Sequence, residues 1–112
     1  MSSGFSLIVH LTCKPSCRDE VIAMLIPVLE RMAQEPDFVN TWLHSSQEEP
    51  DILVLYETWA CDRGHFERHH LAQEYRREYR SRVNDLLVVP RTAEYLAPLH
   101  ACPRQNASNR GH

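Results

Sequence analysis

The sequence predicts an α+β fold of the split βαβ type, a four-stranded antiparallel sheet with two helices on one face. Three observations carry this. Two-residue alternation of apolar side chains marks strands at 5–12, 38–44 and 52–59. Three- and four-residue spacing marks helices after the first and third of them, and proline-containing polar breaks separate the segments.

In the first strand Phe5, Leu7, Val9 and Leu11 alternate with Ser6, Ile8, His10 and Thr12. Lys14-Pro15-Ser16 breaks it, and Val21, Ile22, Leu25, Val28, Leu29 and Met32 follow at amphipathic helical spacing. Pro27 lies inside that helix and is expected to kink it or open the turn that begins near Ala23. Gln34-Glu35-Pro36-Asp37 ends it, because a residue before proline is pushed out of the helical region. The second strand is read with Val39, Thr41 and Leu43 on one face and Phe38, Asn40, Trp42 and His44 on the other. A polar loop over 45–51 makes a long hairpin to the third strand, rich in β-branched and aromatic residues. Asp62 is the candidate N-cap of the second helix, whose apolar stripe runs Phe66, His70 or Leu71, Tyr75, Tyr79, Val83 and Leu86 up to Pro90. A weaker fourth strand is expected over 92–99.

At 112 residues the chain has material for one core, so one domain is expected over 1–100, with 101–112 as a mobile tail. The formal charge of −3 argues against nucleic acid and anionic membranes. Arg76, Arg77, Arg80 and Arg82 alternate with Glu74, Glu78 and Asp85 and are read as a solvated helix face. No apolar stretch is long enough to span a membrane and no secretion signal is visible, so a cytoplasmic address is expected, with Cys13, Cys17, Cys61 and Cys102 as reduced thiols. Three glycines leave no phosphate loop or dinucleotide fingerprint, and there is no nucleophile elbow. Two helices on one face would leave Ile8, Phe38, Trp42 and a row from the third strand exposed on the other. A second copy laid sheet against sheet is the expected remedy.

Lys14-Pro15, Glu35-Pro36, Pro50, Tyr56-Glu57-Thr58-Trp59, and His70-Leu71 with Tyr75 and Tyr79 occur in this order. In these motifs the chain resembles the antibiotic biosynthesis monooxygenase family, from about Leu7 to Pro98. The resemblance implies a ferredoxin-like, homodimeric α+β barrel and, in known branches, cofactor-free oxidation of quinols and anthrones, isomerisation of a small phosphorylated compound, or haem degradation. Where the family places its helical His this chain has Arg68, and an insertion around Asp62-Arg63-Gly64 brings His70 or His69 there, with Leu71 and the tyrosines favouring His70. The positions matching the haem branch hold Ile8, Arg68 or His69, and a residue near Glu78, which argues against haem.

Asn40, Trp42 and His44 are expected to project into a cavity, either between helix and sheet or between subunits, as a pocket wall or as a dimer interface anchored by Trp42. His70, with His69 beside it, is the candidate general base; otherwise it is a buried helix histidine with its hydrogen bonds satisfied. His44 is a further catalytic candidate. Glu57 and Trp59 share a strand face, as substrate contacts or as an ion pair across an interface with an arginine such as Arg91 and a core indole. Tyr75, one turn on from His70, reaches a ligand or fills core. His65 and His69 have a metal-compatible spacing but no third ligand that the sequence identifies, so no metal and no cofactor are expected. The expected function is cofactor-independent oxidation of a small electron-rich aromatic by O2. The alternatives are isomerisation of a hydroxy-ketone, or small-molecule binding without chemistry.

Overall fold

The computed structural model describes residues 4–104, so residues 105–112 of the expected tail lie outside the described residues. The elements are β1 (Phe5–Thr12), α1 (Arg18–Met32), β2 (Phe38–Ser45), β3 (Ile52–Trp59), α2 (Arg63–His65), a π turn (Phe66–His70), a 3-10 turn (Glu74–Arg76), α3 (Arg77–Arg82), a second 3-10 turn (Val83–Leu86) and β4 (Thr92–Leu96). The strands order β2-β3-β1-β4 and every neighbouring pair is antiparallel. This is the ferredoxin-like α+β arrangement expected.

Registry divides the side chains between the two faces. Thr41, Glu57, Leu7 and Tyr95 form one row across the four strands, and Leu43, Leu55, Val9 and Ala93 the next. These rows lie under the helices, and the core includes Leu7, Val9, Leu11, Leu53, Leu55 and Trp59 from the sheet with Val21, Leu25, Val28 and Met32 from α1. The opposite face carries Asn40, Thr58, Ser6 and Leu96, then Trp42, Tyr56, Ile8 and Glu94, then His44, Val54, His10 and Thr92.

Three sequence expectations need correction. The pairing of β2 with β3 shifts between Phe38 and Asn40, a β-bulge that steps over Val39. Phe38 therefore lies opposite Trp59 and packs edge-on against its ring at 5.5 Å, while Val39 is 51% exposed. Pro27 leaves α1 continuous, because Ala23, whose carbonyl loses its donor, lies on the exposed side of the helix and can be solvated.

The second helix is not one helix. Asp62 caps its start as expected, its carboxylate accepting from the His65 backbone N–H at 2.7 Å. A bond from Leu71 N–H to the Phe66 carbonyl, spanning five residues, then winds 66–70 as a π turn, and Gln73 is extended. The helical phase is reset twice, so Phe66, His70, Arg76, Tyr79 and Val83 are all buried although their spacing fits no single helix. Arg76, expected in solvent with its neighbours, is thereby turned inward, whereas Arg77, Arg80 and Arg82 are exposed. Among the described residues no helix is long and apolar enough to cross a membrane.

Phe66 holds this broken segment on the sheet, with ring centroids 5.2 Å from Phe5 and 5.1 Å from Trp59. Phe66→Ala is expected to cost about 3–5 kcal/mol, measured as a lower denaturant midpoint with little change in slope.

Candidate active site

Tyr-Glu-Thr-Trp at the end of β3 places Glu57 and Trp59 two residues apart and hence on the same, helix-covered face. Glu57 is only 4% exposed. Its Oε1 accepts from the Trp59 indole N–H at 2.9 Å. Burial pushes the Glu57 carboxyl above its ordinary value, and the indole bond and the charges of Arg76 and Arg91 only partly oppose this. The predicted partner Arg91 therefore lies near Glu57 within one chain, joined by an arginine the sequence had placed in water.

Around Glu57 is a small cavity of about 30 Å³, lined by Leu7, Val9 and Leu55 of the sheet, Leu25, Val28, Leu29 and Met32 of α1, and Arg76, Tyr79, Arg80 and Arg91. Arg76 is only 7% exposed, and its Nε and Nη2 find no hydrogen-bond partner among the described residues. Its guanidinium carbon sits 5.7 Å from the ring centres of both Phe66 and Tyr75. Burial also raises the Tyr79 phenol above its usual value. A larger groove of about 370 Å³ runs outside, along α1 and α3, lined by residues that include Met24, Pro27, Arg31, Tyr75 and Glu78. Val28 and Tyr79 line both spaces and form the partition between them.

His70 lies on the other side of Trp59. Its ring packs against the indole with centroids 4.5 Å apart and planes tilted by 35°, and is wholly buried. A carboxylate only accepts, so His70 Nε2–H donates to Asp37 Oδ2 at 2.9 Å. His65 Nε2 approaches the same oxygen at 3.2 Å. His70 Nδ1 has no hydrogen-bond partner among the described residues and lies 3.8 Å from Glu35 Oε1. The Tyr75 hydroxyl, near Glu35 and Arg76, is buried without a bond, and burial raises its phenol.

The sheet separates the residues singled out from sequence. His70, Glu57, Trp59 and Tyr75 lie on the helix side, but only Glu57 lines the cavity. Asn40, Trp42 and His44 lie on the open face, with Trp42 62% exposed. There Tyr56 O–H is 3.2 Å from Ser6 Oγ, and bonds to Ser6 and Thr58 lower its phenol below the usual value. His69 is exposed, its Nε2 3.3 Å from the Gln73 amide nitrogen. The sequence reading missed Arg76 and the two carboxylates about His70. Glu35 and Asp37 flank Pro36, a motif read only as a helix stop.

The family profile described as "Antibiotic biosynthesis monooxygenase" matches residues 4–84. The chain belongs to this family. No curated protein sequence matches it. Among solved structures it is similar to Rv0793 of Mycobacterium tuberculosis, at 24% identity and a TM-score of 0.81 over 90% of this chain and 100% of that one. It is similar also to a variant of SnoaB, a cofactor-independent oxygenase from Streptomyces nogalater, at 16% identity and a TM-score of 0.78 over 92% and 100%. PA3566 of Pseudomonas aeruginosa matches at 23% identity and a TM-score of 0.77 over 89% and 98%. At these identities the neighbours attest the fold, and the family match supports a monooxygenase-like function.

The hydrogen bond from His70, opposed by partial burial and reinforced by attraction to His70 and His65, holds the Asp37 carboxyl below its ordinary value. The stability this adds is present above the unfolded carboxyl value of about 3.9 and is lost as pH falls through the lower folded value. Asp37→Asn is therefore expected to lower the melting temperature by several degrees at neutral pH. Thermal scans across pH should show the gap to wild type closing in acid.

Proposed function

We propose that this chain oxidises a small electron-rich aromatic of the quinol or anthrone type with O2, without a cofactor, in the chamber under its helices. One observation carries the reading: an ionisable carboxylate with a raised pKa, Glu57, enclosed with Arg76 and Arg91 among apolar side chains. Such a carboxylate is a stronger base than one in water and suits proton removal from a phenol or an activated carbon acid. The resulting anion is electron-rich enough to pass an electron to O2. Recombination gives a peroxide, and its breakdown leaves one oxygen on the substrate as a carbonyl and releases the other as water. The unpaired N–H groups of Arg76, which lines the same chamber, are donors available to the anionic oxygen that this sequence creates.

At about 30 Å³ the chamber is far smaller than the roughly 300 Å³ or more of ordinary ligand pockets. The substrate enters along the outer groove, and the Val28 and Tyr79 partition moves aside to join the two spaces. His70, sealed behind Trp59, acts as support for the indole that holds Glu57.

Oxygen uptake by purified protein with a panel of hydroquinones and anthrones tests this. Glu57→Gln is expected to reduce kcat at least about 100-fold with an unchanged circular dichroism spectrum. His70→Gln is expected to stay within several-fold of wild type. Loss on His70→Gln alone would return the role of base to the histidine. Proton exchange into a ketone without oxygen uptake would replace the oxygenase by an isomerase, and stabilisation without turnover would leave a binder.

The same proposal includes a homodimer joined through the open face of the sheet, where Trp42, Tyr56 and Ile8 form one row and Val54 lies in the next. Trp42, 62% exposed, is the large aromatic side chain this face leaves uncovered, and the Asn40 Oδ1 on the same face is buried with no hydrogen-bond partner among the described residues. Sedimentation at micromolar concentration is expected to give twice the chain mass, and Trp42→Glu a monomer.

A further inference from the structure

We propose that Glu35, His69 and His70 form a binding site for a divalent transition metal of the zinc class, with His70 Nδ1 as its buried ligand. One ligand atom from each lies within 4.8 Å of the others. The proposal does not rest on the oxygenase reading, since none of the three lines the chamber about Glu57.

The decisive atom is His70 Nδ1. It is fully enclosed, accepts no hydrogen bond among the described residues, and has the Glu35 carboxylate 3.8 Å away. Leaving a polar nitrogen buried and unpaired costs free energy that a native fold rarely concedes without a ligand to meet it. The other ring nitrogen donates to Asp37 at 2.9 Å, which sets the tautomer with the lone pair on Nδ1. A carboxylate behind the imidazole is the usual support of a metal-bound histidine, where it orients the ring and raises its basicity.

The chain's local conformation supplies the rest. The π turn at Phe66–His70 brings the rings of His69 and His70 to 4.7 Å although they are adjacent in sequence. Ligand atoms of a tetrahedral zinc site, with bonds of about 2.0–2.1 Å, stand about 3.4 Å apart. The His70 to Glu35 separation is within a few tenths of an ångström of this. His69 is exposed, with Nε2 3.3 Å from the Gln73 amide nitrogen and its ring stacked on His65 at 5.2 Å, contacts that a surface side chain can exchange for a turn toward the pair. Two imidazoles and a carboxylate with an open fourth position suit zinc or cobalt better than calcium or magnesium. A second grouping, Asp37, Cys61 and His70, also has its ligand atoms within 4.8 Å. It is disfavoured because the His70 nitrogen that faces Asp37 is already engaged by it.

Titration of the untagged, metal-stripped protein with Zn2+ by calorimetry, and with Co2+ by visible absorption, tests the site. The expected result is one ion per chain, ligand-field bands of a low-coordinate Co2+ centre, and a raised melting temperature. Glu35→Gln and His69→Ala are each expected to weaken binding at least about 10-fold, and Asp37→Asn about 10–100-fold. His69 is exposed, so its variant should retain the wild-type circular dichroism spectrum. Cys61→Ser and Cys102→Ser are expected to leave the affinity unchanged. Absence of Zn2+ and Co2+ binding, affinity indifferent to Glu35 and His69, or loss on either cysteine substitution would overturn the assignment.

Discussion

The indole of Trp59 joins a buried carboxylate to a buried imidazole, and the arrangement of this molecule turns on that junction. Its N–H satisfies Glu57 on the chamber side, its face carries His70, and Phe38 and Phe66 pack on its rings. A carboxyl group buried at the centre of a sheet needs a hydrogen-bond partner, and an indole is a donor with no acceptor of its own to satisfy. Through this ring the strand that presents Glu57 and the turn that presents His70 are held in a fixed relation. The two polar centres remain distinct, one facing the interior and the other the loop between α1 and β2.

The interrupted second helix serves the same end. An unbroken helix over this stretch would direct Phe66, His70 and a residue near 73 or 74 to the sheet, leaving Arg76 on its flank. The π turn and the extended Gln73 instead deliver an aromatic ring, an imidazole and a guanidinium to the sheet in succession. Regular hydrogen bonding is given up where the polar side chains enter, as is common at functional sites in helices.

Much of the fold was legible because it rests on periodicity. The alternation in β1 and β3, the three-and-four spacing of α1 and the cap at Asp62 are local patterns that burial then reinforces. The site was legible only in part. Glu57 and Trp59 could be placed together because strand parity is rigid over two residues. Arg76 could not be placed, since its burial depends on two changes of helical phase that no spacing announces. Glu35 and Asp37 looked like the punctuation of a turn, and only the folded chain brings His70 between them. Asn40, Trp42 and His44 were rightly grouped on one strand face, but whether that face met helices or the open side depended on the registry of all four strands.

The bulge at Val39 acts on more than its own position. A strand of strict alternation commits every second side chain to one environment, so β2 would have to serve either the core or the outer face with all of Phe38, Asn40, Trp42 and His44. One surplus residue changes the parity within the strand. The first part of β2 then plugs the end of the core with Phe38, and the remainder presents Asn40, Trp42 and His44 outward while Thr41 still falls in the row of Glu57. A single strand thereby closes the hydrophobic interior at one end and turns Asn40, Trp42 and His44 to the uncovered face along the rest, with a local irregularity in pairing taking the place of a separate element.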